Sequence, residues 1–358
     1  MSSEIRDILA ADVDPEPVEW LLDEPRIPRR GISIVVGFRG ATKTTVACWL
    51  AAQATARGLD VFFASQEDDI ASFVRPRMEA AGADLDRVRF PDEDDPPLRF
   101  PADAERLARY VNERSTALVL LDPLSAFVPT FTNPAAVRDA LSPLGRISRQ
   151  HDCAITFVHH FRKSGGKTAF DAMGGAGALT DVARAVYVYG KRPDRDPIAE
   201  LLFGTPDWYA AKDEDDGDDD PDAVRVLAPL KLSAAELPPS LIFRLELVNI
   251  PALADEVPRM TLFGETSLSG EALFAGQLAK ADGDADSMIE QAVTFLLHYL
   301  VDGAQPVQGL NGAAKEAGIT ARTLERARAR LKTVTFQEDS RWWVKLPELD
   351  APPEEWSR

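Results

Sequence analysis

The chain has 358 residues, 45% of them hydrophobic and 27% charged, with a net charge of −18. That length supports two or three domains at roughly 150 residues each, and the acidity excludes a whole-surface attraction to nucleic acid. No apolar run reaches the roughly 20 residues that a bilayer span requires, and the acidic N-terminus has no basic-then-apolar leader, so a cytoplasmic protein without a membrane partner is the expectation.

Residues 1–30 read as an N-terminal arm in which Trp20, Leu21 and Leu22 pack on a core. From there strand and helix signals alternate. Apolar runs at 32–36, 60–65, 116–122 and 153–160, with a short one at 87–90, read as strands, and 43–56, 69–81, 102–114 and 134–150 as helices. Continuous apolar strands separated by helices predict an α/β fold, a mainly parallel sheet covered on both faces. Strand-like segments at 184–190, 223–232 and 240–248 follow without clear helices between them and are expected to join one side of the sheet through hairpins. The run 211–222 holds eight acids and reads as a disordered loop, because like charges repel. The core is thus bounded at 31–250.

Residues 251–286, weakly patterned and rich in Ala, Gly and Asp, read as a linker. Residues 287–347 read as a compact unit of three helices and a β-hairpin, a small winged helix-turn-helix domain, with Trp342 and Trp343 expected to serve core and wing packing rather than base stacking and 348–358 as a tail. Cys48 and Cys153, both in apolar stretches, read as core residues rather than a disulfide pair.

The chemistry is concentrated in four places. Gly37-Phe38-Arg39-Gly40-Ala41-Thr42-Lys43-Thr44, followed by Thr45, fits the phosphate loop G-x-x-x-x-G-K-[ST] except that Thr42 stands where the second glycine belongs. Backbone N–H groups at a helix start bind phosphate. Lys43 is placed to reach the β- and γ-phosphates of ATP, and the Thr44 hydroxyl to bind Mg²⁺. About 80 residues on, Asp122 ends an apolar strand, where an acid can hold the Mg²⁺ through water. Glu67, just past the second strand, is the candidate to activate the attacking water, with Asp68 and Asp69 competing or serving the next helix. Of His159 and His160, which point to opposite faces of a strand, His160 is the candidate γ-phosphate sensor.

This set of motifs resembles the RepA-like branch of RecA-fold ATPases, found in plasmid and phage replication modules, over about residues 17–250. The resemblance rests on the variant loop at 37–44, S-Q-E-D-D at 65–69 with Arg75 and Arg77 behind it, L-L-D-P-L-S-A-F at 120–127, V-H-H-F-R-K-S-G-G at 158–166 and A-R-A-V at 183–186. It implies Glu67 as catalytic carboxylate, Asp122 as the Mg²⁺-associated acid, His160 as sensor, and a homo-oligomer, expected to be a ring, with ATP between subunits. It further implies that a basic residue, here Lys231, reaches a neighbour's site. Ring helicases often carry Lys-x-Arg there, and this chain has Ser233 at the second basic position.

Two segments are candidates for DNA. The glycine-rich stretch 161–180 carries Arg162, Lys163 and Lys167 and reads as a loop that tracks single-stranded phosphates. The third C-terminal helix carries Arg322, Arg326 and Arg330 at four-residue spacing, so they share one face. It reads as a recognition helix for duplex DNA with Arg341 in the wing. The leading expectation is an Mg-ATP-hydrolysing, DNA-associated helicase or helicase-like motor. The alternatives are an ATP-switched DNA-binding regulator or scaffold and a recombination mediator that coats single strands.

Overall fold

The structure, a computed structural model, describes residues 7–128, 131, 133–162, 166–192, 224–251, 253–281, 285–301, 303–338 and 341–347. The expected acidic loop 211–222, Lys163 and the tail 348–358 lie outside these. The chain divides into two compact units, Met1–Gly190 with Ala223–Glu271, and Lys191–Asp222 with Ala272–Arg358.

The first unit opens with a small hairpin, β1 (Trp20–Leu22) against β2 (Ile27–Pro28). It continues through β3 (Gly31–Gly37), α1 (Lys43–Thr55), β4 (Val61–Ser65), α2 (Arg75–Ala80), β5 (Val88–Arg89), α3 (Ala104–Arg114) and β6 (Leu118–Asp122). Then come α4 (Leu124–Phe127), α5 (Pro134–Gln150), β7 (Ala154–His160), α6 (Ala169–Met173), α7 (Ala178–Val182) and β8 (Ala185–Lys191). Three long strands follow, β9 (Val224–Leu232), β10 (Ser240–Val248) and β11 (Val257–Thr266). They complete a nine-stranded sheet in the order β11-β10-β9-β8-β3-β7-β6-β4-β5.

The central pairs β8–β3, β3–β7, β7–β6, β6–β4 and β4–β5 are all parallel. Every residue of β3 and of β6 is buried, as strands sandwiched between helices require. On one face α1 is buried around nearly its whole circumference, with Val46, Trp49 and Leu50 in the same cluster as Val35, Phe63, Leu120 and Val158. Each such side chain contributes about 1.5–3 kcal/mol on burial. Helix α5 is amphipathic instead, burying Val137, Ala140, Leu141, Leu144 and Ile147 along one stripe. Asn133 caps it, accepting from the Ala135 N–H at 2.9 Å, and Pro134 occupies its first turn. The architecture is a RecA-like P-loop NTPase core.

Two expectations need correction. Strand β8 does not enter through a hairpin: it lies parallel to β3, Ser33 opposite Ala185 and Val36 opposite Val188, after a crossover containing α6 and α7. The antiparallel ladder is β9–β10–β11. The second correction concerns 251–286, read as a linker. It contains β11 and then α8 (Gly270–Ala281). Strand β11 sits at the sheet edge with most residues exposed or half-buried. It therefore lacks the apolar run that marks a buried strand, which is why composition alone misread it.

The second unit, beyond the start of α8, contains α9 (Ala285–Leu300), β12 (Gln305–Pro306), α10 (Val307–Glu316), α11 (Ala321–Arg330), β13 (Val334–Glu338) and β14 (Arg341–Lys345). The strands form a sheet in the order β12-β14-β13. Leu296, Leu310, Leu324, Leu331 and Val344 make its core. Thr320 caps α11, its hydroxyl accepting from the Thr323 N–H at 3.2 Å. Trp343 is half-buried, and Trp342, its neighbour on the hairpin, is 56% exposed. It stands opposite Gln337, next to the last pair of the hairpin.

Candidate nucleotide site

The phosphate loop connects the buried end of β3 to α1. Its first residue can only be glycine: a Cβ at Gly37 would lie 2.3 Å from the Tyr189 carbonyl oxygen. Gly40 has φ +78°, a value glycine adopts freely. Thr42, the departure from the motif, has φ 60° and ψ 35°. It thus takes the left-handed conformation that a glycine would otherwise supply, one in which a β-branched residue is strained. Its hydroxyl donates to the Ala41 carbonyl at 2.6 Å and lies 3.4 Å from the Tyr189 hydroxyl.

Lys43 starts α1 and folds back over the loop, its ammonium donating to the Phe38 carbonyl at 2.5 Å. Burial lowers its pKa to about 8, since the charged form loses hydration. The Thr44 hydroxyl donates to a carboxylate oxygen of Asp122 at 2.8 Å. Asp122 ends β6 beside Ser65 of β4, and burial raises its pKa to about 6 despite the Thr44 bond. The buried cation and the buried acid, contributed by elements far apart in sequence, thus face one space.

The three consecutive acids after β4 separate by their partners. Asp69 caps the following turn, accepting from the Ser72 N–H at 2.7 Å. Asp68 pairs with Arg77 at 3.1 Å. Glu67 extends toward His160, its carboxylate 3.6 Å from the imidazole. Burial, and then the charges of Lys43 and Arg39, lower the His160 pKa to about 4, so at pH 7 that approach is a contact with a neutral ring rather than an ion pair. Glu67, Asp68, Arg77 and His160, but not Asp69, border a cavity of about 270 Å³ together with the loop, Ser65 and Asp122. A larger cavity of about 610 Å³ near β5, walled by Phe62, Phe90 and Tyr110, holds none of the residues selected from the sequence.

His159 has a different task. Its ring is buried and bonds through Nε2 with the Met173 carbonyl at 2.8 Å. Burial lowers its pKa to about 4, so the ring is neutral and Nε2 carries the proton. The strand that delivers His160 to the cleft thereby also tethers the segment beyond it. That segment, 161–180, is not an open glycine loop: it contains α6, capped by Thr168, and α7. Arg162 and Lys167 are exposed on it.

Lys231 lies outside the cleft. Its ammonium donates to the carbonyls of Thr180 and of Ala183, the latter at 3.0 Å, which holds it on the C-terminal end of α7. In the second unit Arg322, Arg326, Arg330 and Arg341 are all exposed, whereas Arg328 bonds to Thr335. The residue that sequence reasoning missed is Tyr189. A buried tyrosine in an apolar strand carries no signal of its own; only the fold reveals that it abuts the loop.

A family model described as an AAA domain matches residues 2–166, just under half of the chain. That span contains the phosphate loop, Glu67, Asp122 and His160. No curated protein matches. Among solved structures, one described as the ATPase domain of G40P is similar at 13% identity and a TM-score of 0.42, over 60% of this chain and 81% of that one. No helix among the described residues is long and apolar enough to cross a membrane.

Proposed function

We propose that this chain hydrolyses Mg-ATP and couples hydrolysis to DNA, as a helicase-like motor. The observation that carries the reading is the convergence of Lys43, Thr44, Glu67, Asp122 and His160 on one cleft at the carboxyl end of the parallel strands. In open α/β sheets ligands bind there.

The residues fit a nucleotide and its metal. A phosphate takes the N–H groups at the start of α1 and the ammonium of Lys43, whose buried charge lacks a carboxylate at bonding distance among the described residues and gains most from an anion. Asp122, with Thr44 beside it, offers the hard oxygen pair that Mg²⁺ uses together with phosphate oxygens and water. When bound, Mg²⁺ would supply charge neutralisation on the transferring phosphoryl group. Thr44 and Asp122 would hold it. Glu67 is the base that orients and deprotonates the attacking water, and among the described residues no hydrogen bond competes for its carboxylate. His160, neutral and beside Glu67, carries the state of the γ-phosphate into β7 and on to the segment 161–180, which His159 anchors.

DNA contact is assigned to Arg162 and Lys167 in the first unit and to Arg322, Arg326, Arg330 and Arg341 in the second, read as a winged helix. The working form is a homo-oligomer, a ring, with nucleotide between subunits. Lys231, engaged by its own chain, acts on α7 and is not assigned to the neighbour's site. A second reading has specific support. Because α6 and α7 fold up the 161–180 segment, an ATP-switched regulator that binds duplex through α11 fits the exposed arginine face as well.

Steady-state ATP hydrolysis with no DNA, single-stranded DNA and duplex DNA separates them. The motor reading expects strong stimulation by single strands, abolished in Lys43→Ala and Glu67→Gln. Turnover indifferent to single strands, with tight duplex binding, sinks the motor and selects the regulator.

A further inference from the structure

One residue touches both ends of the phosphate loop. The backbone of Tyr189 sets the limit at Gly37, where even a Cβ would come within 2.3 Å of the Tyr189 carbonyl oxygen. The side chain of Tyr189 sets the other end, its hydroxyl 3.4 Å from Thr42 Oγ1. Thr42 is the residue that departs from the motif and holds a left-handed backbone, φ 60°. Such strain in a β-branched residue persists only where the surroundings over-determine it.

The protons of this cluster can be counted. The single proton of the Thr42 hydroxyl goes to the Ala41 carbonyl at 2.6 Å. Thr42 Oγ1 therefore faces Tyr189 as an acceptor. Tyr189 is fully buried and also has one proton, with two acceptors: Thr42 Oγ1, and the sulfur of Met260 at 3.2 Å. Met260 lies on β11, three strands away from β8 in sheet order. A hydroxyl shared between a loop oxygen and a thioether is held in the balance between a stronger and a weaker acceptor.

We propose that Tyr189 is a positioning residue that clamps Thr42 in the left-handed conformation, replacing the conformational freedom of the missing glycine, and that its bond to Met260 competes with this clamp. The inference rests on the reading of the cleft as a phosphate site. The clamp sets how well the loop N–H groups are aligned for phosphate before it arrives. A glycine at position 42 has no hydroxyl to clamp and needs none.

The test is a double-mutant cycle on the full chain, read by calorimetric dissociation constants for Mg-ADP and, in parallel, by the melting midpoint of the nucleotide-free protein. Tyr189→Phe is expected to weaken Mg-ADP binding about 3- to 12-fold when Thr42 is present and less than about 2-fold in the Thr42→Gly background, the range a single hydrogen bond supplies. Thr42→Ser keeps the hydroxyl and should retain sensitivity to Tyr189→Phe. Met260→Leu, which removes the competing acceptor, should tighten binding while Tyr189 is intact and have no such effect in Tyr189→Phe. In the nucleotide-free protein, Tyr189→Phe should lower the melting midpoint more when Thr42 is present than in the Thr42→Gly background, where only the bond to the Met260 sulfur is lost. Equal losses in both backgrounds would assign Tyr189 to ordinary core packing and overturn the clamp, as would no loss in either. If the unmodified chain binds no Mg-ADP, the phosphate-site reading fails, and the melting cycle still decides whether the clamp exists.

Discussion

Replacing Asp122 by Asn should make the protein more stable at neutral pH and inactive. Burial raises the carboxyl from 3.8 to about 6. Between those two values the unfolded chain has released the Asp122 proton while the folded chain keeps it. The native state then binds more protons, and stability falls as pH rises through this window. Above about pH 6 the full cost is present. A shift of about 2 pKa units at 1.36 kcal/mol each amounts to roughly 3 kcal/mol. Asn keeps the shape and its amide oxygen still accepts from Thr44, which donates at 2.8 Å, but it never ionises. For a unit of this size each kcal/mol moves the melting midpoint by about 2–4 °C. Asp122→Asn is therefore expected to melt roughly 6–12 °C higher at pH 8 without nucleotide, with the gain shrinking toward zero as pH falls to about 4. Melting curves of both proteins across that range provide the assay. A variant that is less stable at pH 8, or whose advantage does not change with pH, would show that the Thr44 bond and neighbouring charges outweigh desolvation, and the reasoning would fail.

Three further outcomes follow from named contacts. Gly37→Ala forces a Cβ against the Tyr189 backbone; strand displacement should cost about 3 kcal/mol in urea unfolding, the upper end for buried steric insertions, and a loss below about 1 kcal/mol would mean the loop yields easily. His159→Phe removes the bond to the Met173 carbonyl, leaving a buried acceptor unpaired at about 1–3 kcal/mol, so amide exchange across 168–182 should accelerate while that of β3 does not; unchanged exchange would remove His159 from the account of that segment. Arg326→Ala should reduce the slope of log affinity against log salt for duplex DNA by about one, and an unaltered slope would exclude the exposed face of α11 from phosphate contact.

The legibility of the site differed by residue. Lys43, Thr44 and Asp122 could be picked out as candidates because the phosphate-loop pattern and an acid at the end of an apolar strand are local signals. The choice among Glu67, Asp68 and Asp69 was not: all three are acids in one turn, and only partners in space, Ser72 for Asp69 and Arg77 for Asp68, distinguish them. His159 and His160 were likewise equivalent as letters, and burial against Met173 assigns the tether. Lys231 looked free because its carbonyl partners lie some 50 residues earlier in the chain.

The sequence by itself determined the parallel sheet, the phosphate loop and the positions of the strand-end acids. Those follow from local periodicity and from backbone demands that act over a few residues. Tertiary structure alone decided that β8 runs parallel beside β3, that 257–266 is an edge strand rather than a linker, and that Tyr189 braces the loop at Gly37 and Thr42. Each of these depends on close contact between segments far apart in the chain, and such contacts leave no periodic trace in either segment.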